Sequence, residues 1–290
     1  MRTSISITNY TCPGGSSAMA GYLRDLAQSA DETGIDTVWV ADHLLQADPA
    51  AHLDDPMLEA YTTLGFLASA SSKVRLGAMV TPVTFRPPAL LLKAVTTLDV
   101  LSGGRAWLGV GAGYEGDEAR AMDLALPPIA ERFDELEDTL ELAHRLRAAD
   151  DSPFHGRRHN LDHPLHRPLP VAEPHLPIMV GSTGERRTLR LVARFADACN
   201  LFDIPDGGAT VRHKLDVLRH HLDDAGRPHD EVEVTISTAL APGEDAASFQ
   251  RRCAEIAGYG IDHVVVITRG APWDPQEIAT VASAQGVGAG

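Results

Sequence analysis

The strongest constraint on this chain is an alternation: short apolar runs with strand character are separated, again and again, by longer segments carrying apolar residues at helical spacing. Residues 73–114 show the unit complete. Val74, Leu76, Ala78 and Val80 lie in one apolar run, Ala106 opens another that ends at Val110, and residues 89–101 between them follow a helical pattern. Pro87 and Pro88 mark the helix start, and Ser102, Gly103 and Gly104 its stop. Two strands joined in this way are expected to lie parallel with a right-handed crossover, and function should gather at their carboxyl ends.

The rhythm predicts strands at 3–8, 37–41, 74–80, 106–110, 178–180, 197–202, 232–240 and 263–268. Helices are predicted at 19–33, 57–71, 89–101, 130–148, 186–195, 211–225, 246–258 and 275–283, with 116–128 loop-like or short-helical. Such alternation implies an α/β chain closed into a (β/α)8 TIM barrel. A length of 290 residues fits one barrel domain over 1–290 with an insertion between strands 4 and 5. That insertion, at about 150–177, is rich in Pro and His, has weak periodicity and exceeds an ordinary connection. Its length makes it a candidate cover for a pocket.

A formal net charge of -15 argues against nucleic acid or an anionic membrane as the main partner, because long-range repulsion would oppose both. No run approaches the roughly 18 apolar residues of a membrane span, so a cytoplasmic protein acting on a small molecule is expected. Cys12, Cys199 and Cys253 are widely spaced and form no CxxC pair, which points to reduced, structural thiols. His155, His159, His163 and His166 sit in the Pro-rich insertion without zinc-type spacing and read as exposed loop residues, so no metal site is expected.

Three segments at predicted strand ends carry chemistry. Asp42 and His43 end the second strand, where an imidazole can donate or accept a proton at neutral pH, although a capping or packing role fits too. Gly111, Ala112, Gly113 and Tyr114 follow the fourth, with glycines that admit a ligand oxygen or simply serve a turn. Gly181, Ser182, Thr183 and Gly184 open a helix, where unpaired N–H groups and two hydroxyls suit a phosphate, or an ordinary N-cap.

The runs GAMVTPVTFRPPALL and TLDVLSGGRAWLGVGAGYEGDE, together with the Asp42-His43 and GSTG segments, resemble the luciferase-like monooxygenase superfamily, in its branch that uses the deazaflavin coenzyme F420. The resemblance implies an F420-dependent oxidoreductase that transfers a hydride between the deazaflavin C5 and a small organic substrate; FMN is the alternative cofactor, with oxygen-using chemistry. It places Asp42 and His43 beside the reactive ring as catalytic residues, and Ala78, Met79 and Val80 behind it, with a non-proline cis peptide at Met79-Val80. Gly111 to Tyr114 are then cofactor contacts and 181–184 the phosphate site. Glu118 and Arg120 are either support beside Gly111 to Tyr114 or solvated charges. Arg86, Arg120, Arg186 and Arg187 are candidate partners of the anionic F420 tail, or surface cations. The resemblance also implies a homodimer.

Overall fold

The computed structural model describes residues 1–181 and 184–287. Eight parallel strands form the centre: β1 (Arg2–Ile7), β2 (Thr37–Val40), β3 (Arg75–Ala78), β4 (Ala106–Gly111), β5 (Ile178–Gly181), β6 (Ala198–Phe202), β7 (Glu233–Ala239) and β8 (His263–Ile267). Each pairs with its sequence neighbour, β8 returns to β1 through Arg2↔His263 to Ser6↔Ile267, and β3 closes on β4 through Leu76↔Ala106 and Gly77↔Trp107. The barrel is therefore closed, a (β/α)8 fold as the alternation predicts. A two-residue strand, Thr81–Pro82, extends the β3 side along β4.

Helices α1 (Met19–Thr33), α2 (Ala60–Ala70), α3 (Pro88–Ser102), α4 (Gly116–Ala121), α5 (Ile129–Arg147), α6 (Thr188–Phe195), α7 (Ala209–Ala225), α8 (Ala246–Ala257) and α9 (Pro275–Ala282) complete the chain. The predicted bounds hold to within a residue or two except at the start of α2, with α6 at the limit of that range. The first begins three residues later, where the Glu59 side chain caps the amide of Thr62. The second begins at Thr188, after a turn that follows Gly184.

Two cores result. Between strands and helices lies a continuous apolar layer, including Ile5, Ile7, Leu64, Leu76, Leu91, Leu108 and Leu136. Inside the barrel, Trp39, Trp107, Met179, Ala198 and Val265 fill the lumen, and Met79 and Val80 pack on top of them. Close packing here dictates residue size. A Cβ on Gly77 would stand 2.7 Å from the Trp39 ring, and one on Gly109 only 1.9 Å from the Ala78 carbonyl oxygen.

The 150–177 segment departs from expectation. It follows a helix and precedes a strand, which puts it at the amino ends of the barrel strands, opposite the face where sites form. A small antiparallel hairpin pairs Phe154–His155 with Asn160–Leu161. Asp138 on α5 accepts the amides of Arg157, Arg158 and His159, and Asp99 on α3 accepts those of Val171 and Ala172. His166 is buried and meets Thr96 Oγ1 at 3.0 Å through Nε2. The segment is a strap over α3 and α5, and His166 is not an exposed loop residue. Among the described residues, no helix is long and apolar enough to cross a membrane.

Candidate active site

One cavity of about 1060 Å³ opens at the carboxyl ends of the strands. Its lining comes from the ends of β1, β2, β4, β5, β6, β7 and β8, the segment after β3, the long loop after β2 and the stretch running from β4 into α5. No residue of 150–177 lines it, so the expected pocket cover is corrected. The cover comes instead from residues 43–57 and 112–136.

His43 lines the cavity and is held by one specific partner. Its Nδ1 lies 2.8 Å from Glu118 Oε2, and Glu118 Oε1 accepts the amides of Leu44 at 2.6 Å and Leu45 at 3.0 Å. Burial alone would raise the Glu118 carboxyl, but the hydrogen bonds from His43, Leu45 and Leu44 outweigh it and hold the group below the ordinary range. An ionised Glu118 takes an N–H from Nδ1, which leaves Nε2 as the imidazole's basic nitrogen. Among the described residues no protein group bonds that Nε2. Tyr114 stands edge-on to the His43 ring at 6.2 Å between centroids.

Asp42 does not line the cavity. Successive residues at a strand end point to opposite faces, and the buried Asp42 carboxylate faces away, binding Arg86 at 2.6 and 3.1 Å and the Thr81 hydroxyl at 2.7 Å. Arg86 also binds Glu59 at 2.6 Å and lies over the Tyr61 ring, whose hydroxyl meets Thr81 at 2.8 Å. Asp42 thus anchors the 79–86 segment from behind, and Arg86 is spent on that pair instead of facing a ligand tail. Arg120 is exposed and paired with Asp117, and Arg187 lies over Phe133.

The Met79-Val80 peptide is cis. Met79 and Val80 line the cavity, whereas Ala78 is buried beneath them. Gly111 and Gly181 let Val80 sit back: a Cβ on either would meet Val80 Cγ2 at 2.9 or 2.7 Å. Gly111, Ala112, Gly113, Tyr114, Gly181 and Gly184 all reach the cavity, and Gly113 has a φ of +75° that favours glycine. Ser182 and Thr183 lie outside the described residues.

Several lining residues carry no sequence signal of their own. Gln46 is buried, with Oε1 accepting the Asp48 amide at 2.9 Å and Nε2 without a partner. Thr84 Oγ1 is likewise unpartnered. On the opposite wall, Ser6, Thr8, Asn200, Ser237 and Thr268 form a polar arc, in which Ser237 donates to Asn200 at 2.9 Å.

A family model described as luciferase-like monooxygenase matches residues 1–285. The chain belongs to this family. Within it, the chain is similar to an F420-dependent glucose-6-phosphate dehydrogenase of Kineococcus radiotolerans, 32% identical over 228 residues, which cover 78% of this chain and 66% of that enzyme. The match thus spans just under two thirds of the relative's length. Among solved structures, an F420-dependent secondary alcohol dehydrogenase with an F420-acetone adduct matches with a TM-score of 0.79 at 16% identity, covering 98% of both chains. The monooxygenase RslO1 of Streptomyces bottropensis matches with a TM-score of 0.76 at 22% identity, over 97% of this chain and 96% of that one. Both share the luciferase-like barrel.

Proposed function

We propose that this luciferase-like chain is an F420-dependent oxidoreductase acting on a small organic substrate. The observation that carries the proposal is the His43–Glu118 pair on the wall of a cavity with room for a ring cofactor and a substrate together. The named relatives support F420 as the cofactor. The wall also suits a flat, polar-edged group: Val80 is drawn back onto Gly111 and Gly181, and Gln46 Nε2 and Thr84 Oγ1 are orphaned polar atoms that a ligand can satisfy.

When bound, the deazaflavin supplies a carbon centre, C5, that takes or gives a hydride and reacts poorly with oxygen. The rest falls to the protein. Met79 and Val80 would back the ring, the backbone of 111–114 would contact it, and the segment from Gly181 to Gly184 would hold the phosphate. His43 takes or returns the substrate proton at Nε2, while Glu118 fixes its tautomer and its orientation. Asp42 and Arg86 set the position of the 79–86 segment without touching the reacting atoms. The same reading carries a homodimer working in the cytoplasm, and sedimentation of the purified protein tests the dimer.

Titrating the purified protein with oxidised F420 and, in parallel, FMN tests the cofactor. Trp39 and Trp107 lie directly beneath Met79 and Val80, so ring binding should quench their fluorescence. Tight F420 binding with weak FMN binding is expected. A preference for FMN would move the chain to oxygen-using chemistry, and binding of neither would sink the proposal.

A further inference from the structure

A second cavity, of about 160 Å³, lies outside the barrel wall, between α3, α5 and the 150–177 strap. It shares no lining residue with the large cavity at the barrel mouth. Leu92 from α3, Leu142 and Leu146 from α5, and Leu161 and Leu169 from the strap give it an apolar wall. An apolar cavity of about 150 Å³ takes a benzene ring. The space therefore suits a hydrocarbon body of that size.

The charged part of the wall is cationic on balance. Lys93 comes from α3, Arg145 from α5 and Arg167 from the strap, against the carboxylates of Asp150 and Asp151. Carboxylates outnumber cations 40 to 25 in the whole chain, so three cations to two carboxylates is a local reversal. Nor are these cations closely neutralised. Arg145 lies 3.6 Å from Glu141 and 3.7 Å from Asp150, and Arg167 lies 3.8 Å from Asp151, all beyond hydrogen-bond length. Lys93 has no carboxylate partner among the described residues; its ammonium donates to the Arg167 carbonyl at 2.9 Å and keeps further donors free. His166, buried on the same wall, feels the surplus: burial first, then Lys93 and Arg167, push its imidazole down to about 4. It therefore adds no charge at neutral pH.

Three cations less two carboxylates leave one positive charge, which matches a monoanion better than a phosphate dianion. Guanidinium groups suit a planar carboxylate, and the leucine wall makes a demand that a bare inorganic anion does not meet. We propose that this cavity is a second ligand site, taking a small monocarboxylate on a benzene-sized hydrocarbon body. The carboxylate lies beside Lys93 and Arg167, and the ring lies against Leu92, Leu142 and Leu146. The site stands whether or not the chain binds F420.

Fluorine resonance titrations of the intact chain with 4-fluorobenzoate and its uncharged counterpart, 4-fluorobenzamide, test the site. Lys93→Gln with Arg167→Gln removes two cations and leaves the leucine wall alone, whereas Ala89→Trp fills the space from an exposed wall position. The parent should hold the acid at least tenfold more tightly than the amide. The paired Gln substitutions should weaken the acid by about tenfold, the scale of two partly exposed ion pairs, and Ala89→Trp should remove the site. Equal fluorobenzoate binding in the parent and in both variants would overturn the proposal, since it places the acid in the large cavity or on the surface. An amide bound as tightly as the acid, or no binding of the acid at all, would do the same. Displacement of fluorobenzoate by inorganic phosphate at equal concentration would replace the monocarboxylate with a phosphate and so overturn the ligand class.

Discussion

Glu118, on the short helix after the fourth barrel strand, reaches across the cavity mouth and holds His43, at the end of the second, by its Nδ1 at 2.8 Å. Two loops from separate barrel strands are thereby locked to one imidazole. The carboxylate orients the ring and fixes which nitrogen carries the proton, so the pair behaves as a unit.

Replacing Glu118 with Gln keeps an acceptor for the Leu44 and Leu45 amides but removes the charge that fixes the His43 tautomer. Turnover should fall by at least tenfold, about 1.4 kcal/mol of transition-state stabilisation, with F420 affinity changed far less. Stopped-flow reduction of F420, compared with the binding titration, separates the two. Equal losses in both would assign the pair to binding alone.

Asp42→Asn should cost stability first. Asp42 is buried and the Arg86 side chain is only 14% exposed, so removing the charge leaves a mostly buried guanidinium partly uncompensated. A loss of about 3 kcal/mol is expected for breaking such a pair. A urea midpoint lowered at constant slope would bear this out; an unchanged midpoint would not.

The site was legible in parts, for reasons that lie in the chain. Strand and helix periodicity exposed the barrel because strands such as β4 are apolar and buried along their whole length while helices such as α6 bury one face. His43 and the Gly111 and Gly181 segments followed from strand ends. Asp42 was paired with His43 by adjacency, yet the pleat sends neighbours to opposite sides, a signal available in the sequence. Glu118 lies 75 positions from His43, and only the folded barrel joins them. Gln46 shows nothing until its Oε1 is seen to be taken. The strap at 150–177 could have been placed by connectivity, since a helix-to-strand link falls at the amino ends.

Gly181→Val should impair cofactor binding. A Cβ there would stand 2.7 Å from Val80 Cγ2, so Val80 must move toward the cavity or the strand must shift. F420 affinity should drop by tenfold or more, about 1.4 kcal/mol, while the far-ultraviolet circular dichroism stays that of a folded barrel. Undiminished affinity would remove Val80 from the cofactor's surroundings.

Stability should decline with mild acid through the strap. Burial, with help from Lys93 and Arg167, pushes His166 down to about 4 from 6.5, and burial also lowers His144. Between these values the unfolded chain binds a proton that the folded chain refuses, so folding stability falls as pH drops from 6.5 toward 4. His166→Gln should flatten that slope in denaturation curves taken across the window. A slope equal to the parent's would show that other groups carry it.

The strap also gives this protein a handle. Its hairpin side lies at the end of the barrel away from the cavity, and the three native thiols, Cys12, Cys199 and Cys253, are all buried. A cysteine introduced at the exposed Asp162 would be the most accessible thiol on the described surface. A dye or a surface tether could be attached there selectively, leaving the cavity mouth pointed at solution.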